Sequence, residues 1–156
     1  MKKSNPPEAF GVFKPVGHVV ISFRSADDLQ ATATALVEQG FEPSALVRYT
    51  PEQMKALVDA SLEDASPLAS IGQEVNLVKA QRALAEQQFS FLIVHAPDAE
   101  QVKRVAAVAR SNHAHTAQSY GRLIIEELID QTPGDTQVFE SPDRGTDIEV
   151  PGEPKR

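Results

Sequence analysis

Cysteine and tryptophan are both absent from this chain, and only 6% of its residues are aromatic. Without cysteine there is no disulfide, thiol nucleophile, iron–sulfur cluster or cysteine-based zinc site, and a reducing compartment is the natural setting. The scarcity of aromatic rings leaves few planes on which bases or sugars could stack. Basic residues are also in deficit. Fifteen Lys and Arg stand against 22 Asp and Glu, a formal net charge of -7 that repels a phosphate backbone. Within residues 16–130 the only adjacent bases are Lys103 and Arg104, so no basic stripe exists to track nucleic acid. No apolar run approaches the roughly 20 residues that cross a bilayer. Asn5, Pro6, Pro7 and Glu8 stand where a signal peptide needs a continuous apolar stretch. These absences point to a cytoplasmic chain with neither nucleic acid nor membrane as a partner. GxGxxG, P-loop, GxSxG and HExxH motifs are missing as well, which removes the usual support for dinucleotide, nucleotide-hydrolase, α/β-hydrolase and zincin chemistry.

What is there suits one folded domain. At 156 residues, with 41% hydrophobic and 24% charged side chains, the chain can bury a core without staples. Seven of its 11 prolines lie in two terminal segments, poor material for a core. The expected organisation is a flexible N-terminal arm over 1–15, a single α+β domain over 16–130, and a mostly disordered, acidic Pro/Gly-rich tail over 131–156. Within the tail, Val138, Ile148 and Val150 flank Ser141-Pro142-Asp143-Arg144-Gly145, a turn signal that allows a hairpin if it docks.

Residues 16–23 alternate, with Val19, Ile21 and Phe23 on one face and His18, Val20 and Ser22 on the other, and predict a strand. Ser25 then caps a helix carrying Leu29, Ala33, Leu36 and Val37 at helical spacing, with Gly40 as its stop. Ala45–Thr50 reads as a second strand. Thr50-Pro51-Glu52-Gln53 is the best helix start in the chain, and Met54, Leu57, Val58 and Leu62 form the stripe it opens. Ser66-Pro67 restarts a helix with Leu68, Ile71, Val75, Val78 and Ala85 on one side, so a helical hairpin spans roughly 51–87. Residues 89–95 are apolar on both faces apart from Ser90 and His95, as a central strand requires. Pro97-Asp98 opens a further helix with Val102, Val105, Ala106 and Ala109 inward and Asn112 as its left-handed stop. Thr116–Ile125 reads as a final strand, and the segment Ile125–Asp130 suits strand or helix.

The order strand, acidic helix start, small-residue helix and left-handed stop occurs twice. Two such units describe a ferredoxin-like, split β-α-β antiparallel sheet with the helical hairpin inserted between the second and third strands. This order, with the apolar strand and helix FSFLIVHAPDAEQVKRVAAVAR, resembles the small bacterial general stress protein domains of the 17M type over roughly residues 17–122. The resemblance implies a ferredoxin-like fold and a loose stress-associated role, with no catalytic residues to carry over.

Four features invite a chemical reading. His113-Ala114-His115 places two imidazoles on one side of an extended segment, as metal ligands require, with His18, His95 or a carboxylate as the third. His95 closes the central strand where an acid–base or switch residue could sit. Glu126-Glu127 with Asp130 resembles a carboxylate cluster but reads better as a solvated face. Ser119-Tyr120-Gly121-Arg122 is a weak phosphate signal, and Gly121 is more simply a bulge. No residue is assigned a catalytic, cofactor or metal role, and no cofactor is expected. The leading reading is a non-enzymatic, self-associating cytoplasmic protein, since a sheet with helices on one face needs cover on the other from the hairpin or a second subunit. One alternative is a regulatory module sensing a small molecule at a dimer seam through Gly40, Arg48, Asn112 and Arg122. Another is a metal-dependent enzyme using His113 and His115.

Overall fold

The computed structural model describes residues 1, 3, 8–9, 12–64, 73–121 and 125–129. Its order is β1 (Glu8–Ala9), β2 (Val12–Phe13), β3 (His18–Phe23), α1 (Ala26–Glu38), β4 (Leu46–Tyr49), α2 (Pro51–Asp64), α3 (Gln73–Glu86), β5 (Ser90–His95), α4 (Ala99–Ser111), β6 (Thr116–Tyr120) and β7 (Ile125–Glu127). β1 and β2 pair with each other, while the other five form one antiparallel sheet in the order β4-β5-β3-β6-β7. The class is α+β.

The two faces of the sheet are covered by different helix pairs. Val19, Ile21 and Phe23 of β3, Leu92 and Val94 of β5 and Ala117 of β6 pack with Leu29, Ala33 and Leu36 of α1 and Val105, Val108 and Ala109 of α4. On the opposite face Val20, Phe91, Ile93 and Tyr120 pack with Met54 and Val58 of α2 and Val78 and Ala85 of α3. The alternation of side chains along each strand sorts these residues between the two layers. The sheet face that needs cover therefore receives it from the chain's own α2 and α3, which Arg82 of α3 ties together through Asp59 of α2 at 2.6 Å while pairing within α3 with Glu86 at 2.6 Å. The Arg82 guanidinium hydrogen-bonded to it holds the Asp59 carboxyl below its usual range.

Helix starts follow the capping residues. Ser25 Oγ accepts from the amides of Asp27 and Asp28 at 3.1 and 3.4 Å. Thr50 and Gln53 form a reciprocal box: the Gln53 amide donates to Thr50 Oγ1 at 3.1 Å and the Thr50 amide to Gln53 Oε1 at 3.0 Å. Helix ends differ in part from expectation. Gly40 takes the left-handed conformation after α1, with φ +103°, but after α4 that residue is His113, with φ +64°, and not Asn112. Asn112 instead stays near φ -110° and its side-chain amide donates to Val108 O at 2.9 Å. A third left-handed residue, Gln88 with φ +70°, ends α3. All three ends share one pattern, in which the following amide (Phe41, Phe89 or Ala114) reaches back to the carbonyl of Leu36, Leu84 or Ala109.

The final strand expected over Thr116–Ile125 is two strands. β6 ends at Tyr120, and Ile125–Glu127 returns as β7 beside it, with Gln118 opposite Glu127 and Tyr120 opposite Ile125. Among the described residues the sheet thus has five strands where four were expected, and Ile125–Glu127 is strand rather than helix. Of the segment read as an N-terminal arm, Val12–Phe13 lies against α2 and α3, and Lys14 and Pro15 are buried. Ser66-Pro67, Leu68, Ile71, Arg122, Asp130 and the tail hairpin over 138–150 lie outside the described residues. Among the described residues no helix is long and apolar enough to cross a membrane.

Candidate functional site

Polar side chains gather on one face of the sheet. The positions that alternate with Val19, Ile21 and Phe23 point toward α2 and α3, and the register aligns them in rows: His95, His18, Tyr120 and Ile125; Ile93, Val20, Gln118 and Glu127; Phe91, Ser22 and Thr116. His18, Ser22, Thr116, Gln118 and Tyr120 are all buried. Most of them are answered within the fold. Ser22 and Thr116 share a hydroxyl hydrogen bond, Gln118 donates to Glu127 at 3.0 Å, and Gln81 of α3 donates to the Tyr120 hydroxyl at 3.1 Å.

His18 is answered on one side only. Its Nδ1–H donates to Val16 O at 3.0 Å, while Nε2 is buried with no hydrogen-bond partner. An acceptor left unpaired in the interior costs about 1–3 kcal/mol. Its strand partner His95 is exposed, and the two ring centroids lie 4.9 Å apart at 47°. Burial lowers the His18 pKa below its ordinary 6.5, and the N-terminal ammonium and His95 lower it further against the opposing carbonyl bonds. His115 is lowered too, by burial and then by Arg24.

Both shifts make folding stability depend on pH. Below pH 6.5 the unfolded chain protonates both imidazoles while the folded chain resists, so the unfolded state binds more protons and stability falls. Denaturation midpoints are therefore expected to drop as pH is lowered from about 7.5 to about 5.5, with His18→Gln flattening the profile. Midpoints that stay level or rise across this window in the wild-type chain would contradict the assignment.

A second locus lies at the edge of the sheet. Gln30, Ala33, Thr34, Val37, Glu38, Pro43, Leu46 and Arg48 line a shallow groove of about 270 Å³ between α1 and β4. Arg48 donates to Gln30 Oε1 at 3.0 Å, and Gln30 donates to Thr34 at 3.1 Å. Val37 remains 41% exposed beside them.

The residues singled out from sequence are dispersed. His113 stands exposed 3.9 Å from Asp28, whereas the His115 ring packs 4.9 Å from Phe89. Among the described residues no three His, Cys, Asp or Glu side chains gather as a metal-binding group. Of the four residues suggested for a ligand seam, Arg48 lines the groove; Gly40 and Asn112 end helices, and Arg122 lies outside the described residues. Glu126 and Glu127 are exposed at the β7 edge. Tyr120 is buried against Gln81, and Gly121 follows the end of β6. The pairing of His18 with His95 was not legible from spacing, since it depends on the register of two strands 66 or more residues apart in sequence. No family model matches the chain, and comparisons with curated proteins and with solved structures find no match.

Proposed function

We propose that this chain is a non-catalytic protein that self-associates by pairing the edge strand β4 with the same strand of a second copy. The observation that carries this reading is the edge itself: among the described residues β4 is paired with β5 alone. Its outer backbone groups form a template for another strand. A two-fold axis would set Leu46–Tyr49 antiparallel to its mate, the arrangement an isologous interface demands. The groove beside it carries the acid Glu38 and the base Arg48 together with exposed Val37, so it complements a copy of itself. Among the described residues the opposite edge is β7, which presents Glu126 and Glu127, whose like charges oppose self-pairing.

The finer fold belongs to the same proposal. The order β4-β5-β3-β6, with α1 and α4 on one face, supports a ferredoxin-like split β-α-β arrangement in which α2 and α3 form a helical hairpin inserted between the second and third strands. A stress-associated role rests on the resemblance to general stress protein 17M-type domains alone. A cytoplasmic location without a nucleic-acid partner rests on composition and charge.

Light scattering coupled to size exclusion tests the reading. The full chain is expected to run as a dimer and the Val37→Glu/Arg48→Glu variant as a folded monomer. A wild-type monomer overturns self-association, and a variant that remains dimeric overturns the choice of edge. A second reading, a small anionic ligand held at this seam, draws on Arg48 among the groove residues; a thermal shift with small anions that Arg48→Gln abolishes would favour it.

A further inference from the structure

We propose that His18 and His95 form a two-imidazole site for a borderline divalent transition-metal ion of the zinc, copper and nickel class, with its remaining coordination positions open to water or an external anion. The backbone partner of His18 fixes its tautomer. Because the Val16 carbonyl can only accept, the 3.0 Å contact places the proton of His18 on Nδ1 and leaves Nε2 with a lone pair. An imidazole that donates one ring N–H to a carbonyl and offers the other nitrogen is the usual arrangement of a metal-ligating histidine, in which the carbonyl fixes both tautomer and ring orientation. That lone pair is buried and meets no donor in the fold.

A second imidazole lies beside the first. β3 and β5 pair so that His18 and His95 are directly opposite, on the same face of the sheet. For two imidazoles bound to one ion at about 2.0–2.1 Å and a roughly tetrahedral angle, the ring centroids lie about 5 Å apart. The observed separation is 4.9 Å. His18 lies inside the fold and His95 is exposed, so one ligand is fixed by its surroundings and the other turns to admit the ion from solvent. Burial also keeps His18 in the neutral form that ligation requires.

Among the described residues no third His, Cys, Asp or Glu joins the pair, so these residues supply two ligands and leave the remaining positions to water or an external anion. Imidazole donors select zinc, copper and nickel over calcium and magnesium, which take oxygen ligands. Neither His113 nor His115 belongs to it: they lie beside Asp28 and Phe89.

Zinc titration of the full chain against a chromogenic chelator tests the proposal. Uptake of one zinc per chain is expected, weakened at least about tenfold by His95→Ala and by His18→Gln, and left within about twofold by the His113→Ala/His115→Ala variant. The exposed His95 provides a variant that leaves the core untouched, should His18→Gln perturb folding. Absence of saturable uptake, uptake that survives His95→Ala, or uptake lost with His113 and His115 each overturns the site. Calcium or magnesium competing with zinc on equal terms would overturn the class of ion.

Discussion

Phe91→Ala is expected to cost about 3–5 kcal/mol, a large share of the roughly 5–15 kcal/mol by which a domain of this kind is stable. Phe91 is fully buried in β5 and packs in the layer shared by Met54, Val58, Val78 and Ala85. β5 is held by β4 on one side and β3 on the other. The backbone around the cavity is therefore pinned by two ladders and cannot collapse to refill it, which places the loss toward the upper part of the range. The damage should also be directional. Phe91 faces α2 and α3, whereas its neighbour Leu92 faces α1 and α4. Hydrogen exchange in Phe91→Ala should rise first in residues 51–64 and 73–86, while Leu92→Ala should loosen residues 26–38 and 99–111 first. A denaturant-derived loss below about 1 kcal/mol for Phe91→Ala would show that α2 and α3 are only loosely seated on the sheet.

Those layers were partly legible because local signals and the global fold agree at particular residues. Thr50-Pro51-Glu52-Gln53 combines a cap, a proline that needs no amide partner and an acceptor that reaches back, and all three requirements are local. Residues 90–95 announce a central strand because Phe91, Leu92, Ile93 and Val94 leave no face for water. What failed depended on smaller energies or on distant partners. Asn112 and His113 both tolerate a left-handed backbone, and a helix end shifts by one residue according to which amide closes on Ala109 O. Gln88 gives no sequence signal at all; the closure onto Leu84 O fixes it. The split of the last strand into β6 and β7 depends on Ile125 finding Tyr120 as its partner.

The candidate site was less legible than the fold. The alternation in residues 16–23 placed His18 and Ser22 on the face opposite Val19 and Ile21, which is where they lie. Their partners could not be read, because His95, Thr116 and Tyr120 reach them only through strand register. A histidine pair two residues apart in sequence, such as His113 and His115, is visible at once, yet its rings meet different partners, Asp28 and Phe89. A pair made by register is invisible until the strands are aligned.

Register also governs the second of the larger expected effects. Ser22→Ala and Thr116→Val should each cost about 1–3 kcal/mol, whereas the double variant should cost clearly less than the two single losses added together. Both residues are buried, at 1% and 7% exposure, and their hydroxyls bond each other across β3 and β6. Removing one leaves the other in the interior without its partner, and removing both exchanges a polar pair for apolar contacts. The pair sits one step from the end of the sheet where the His115 amide donates to Ser22 O at 2.8 Å. A slip of one residue between β3 and β6 would break the hydroxyl bond and bring Ser22 opposite the alternate face of β6, setting polar against apolar positions. The hydroxyl pair therefore penalises the wrong register more than it stabilises the right one. Strictly additive losses in a double-mutant cycle, measured by chemical denaturation, would instead assign the register of β3 and β6 to Val19, Ile21 and Ala117 on the apolar face.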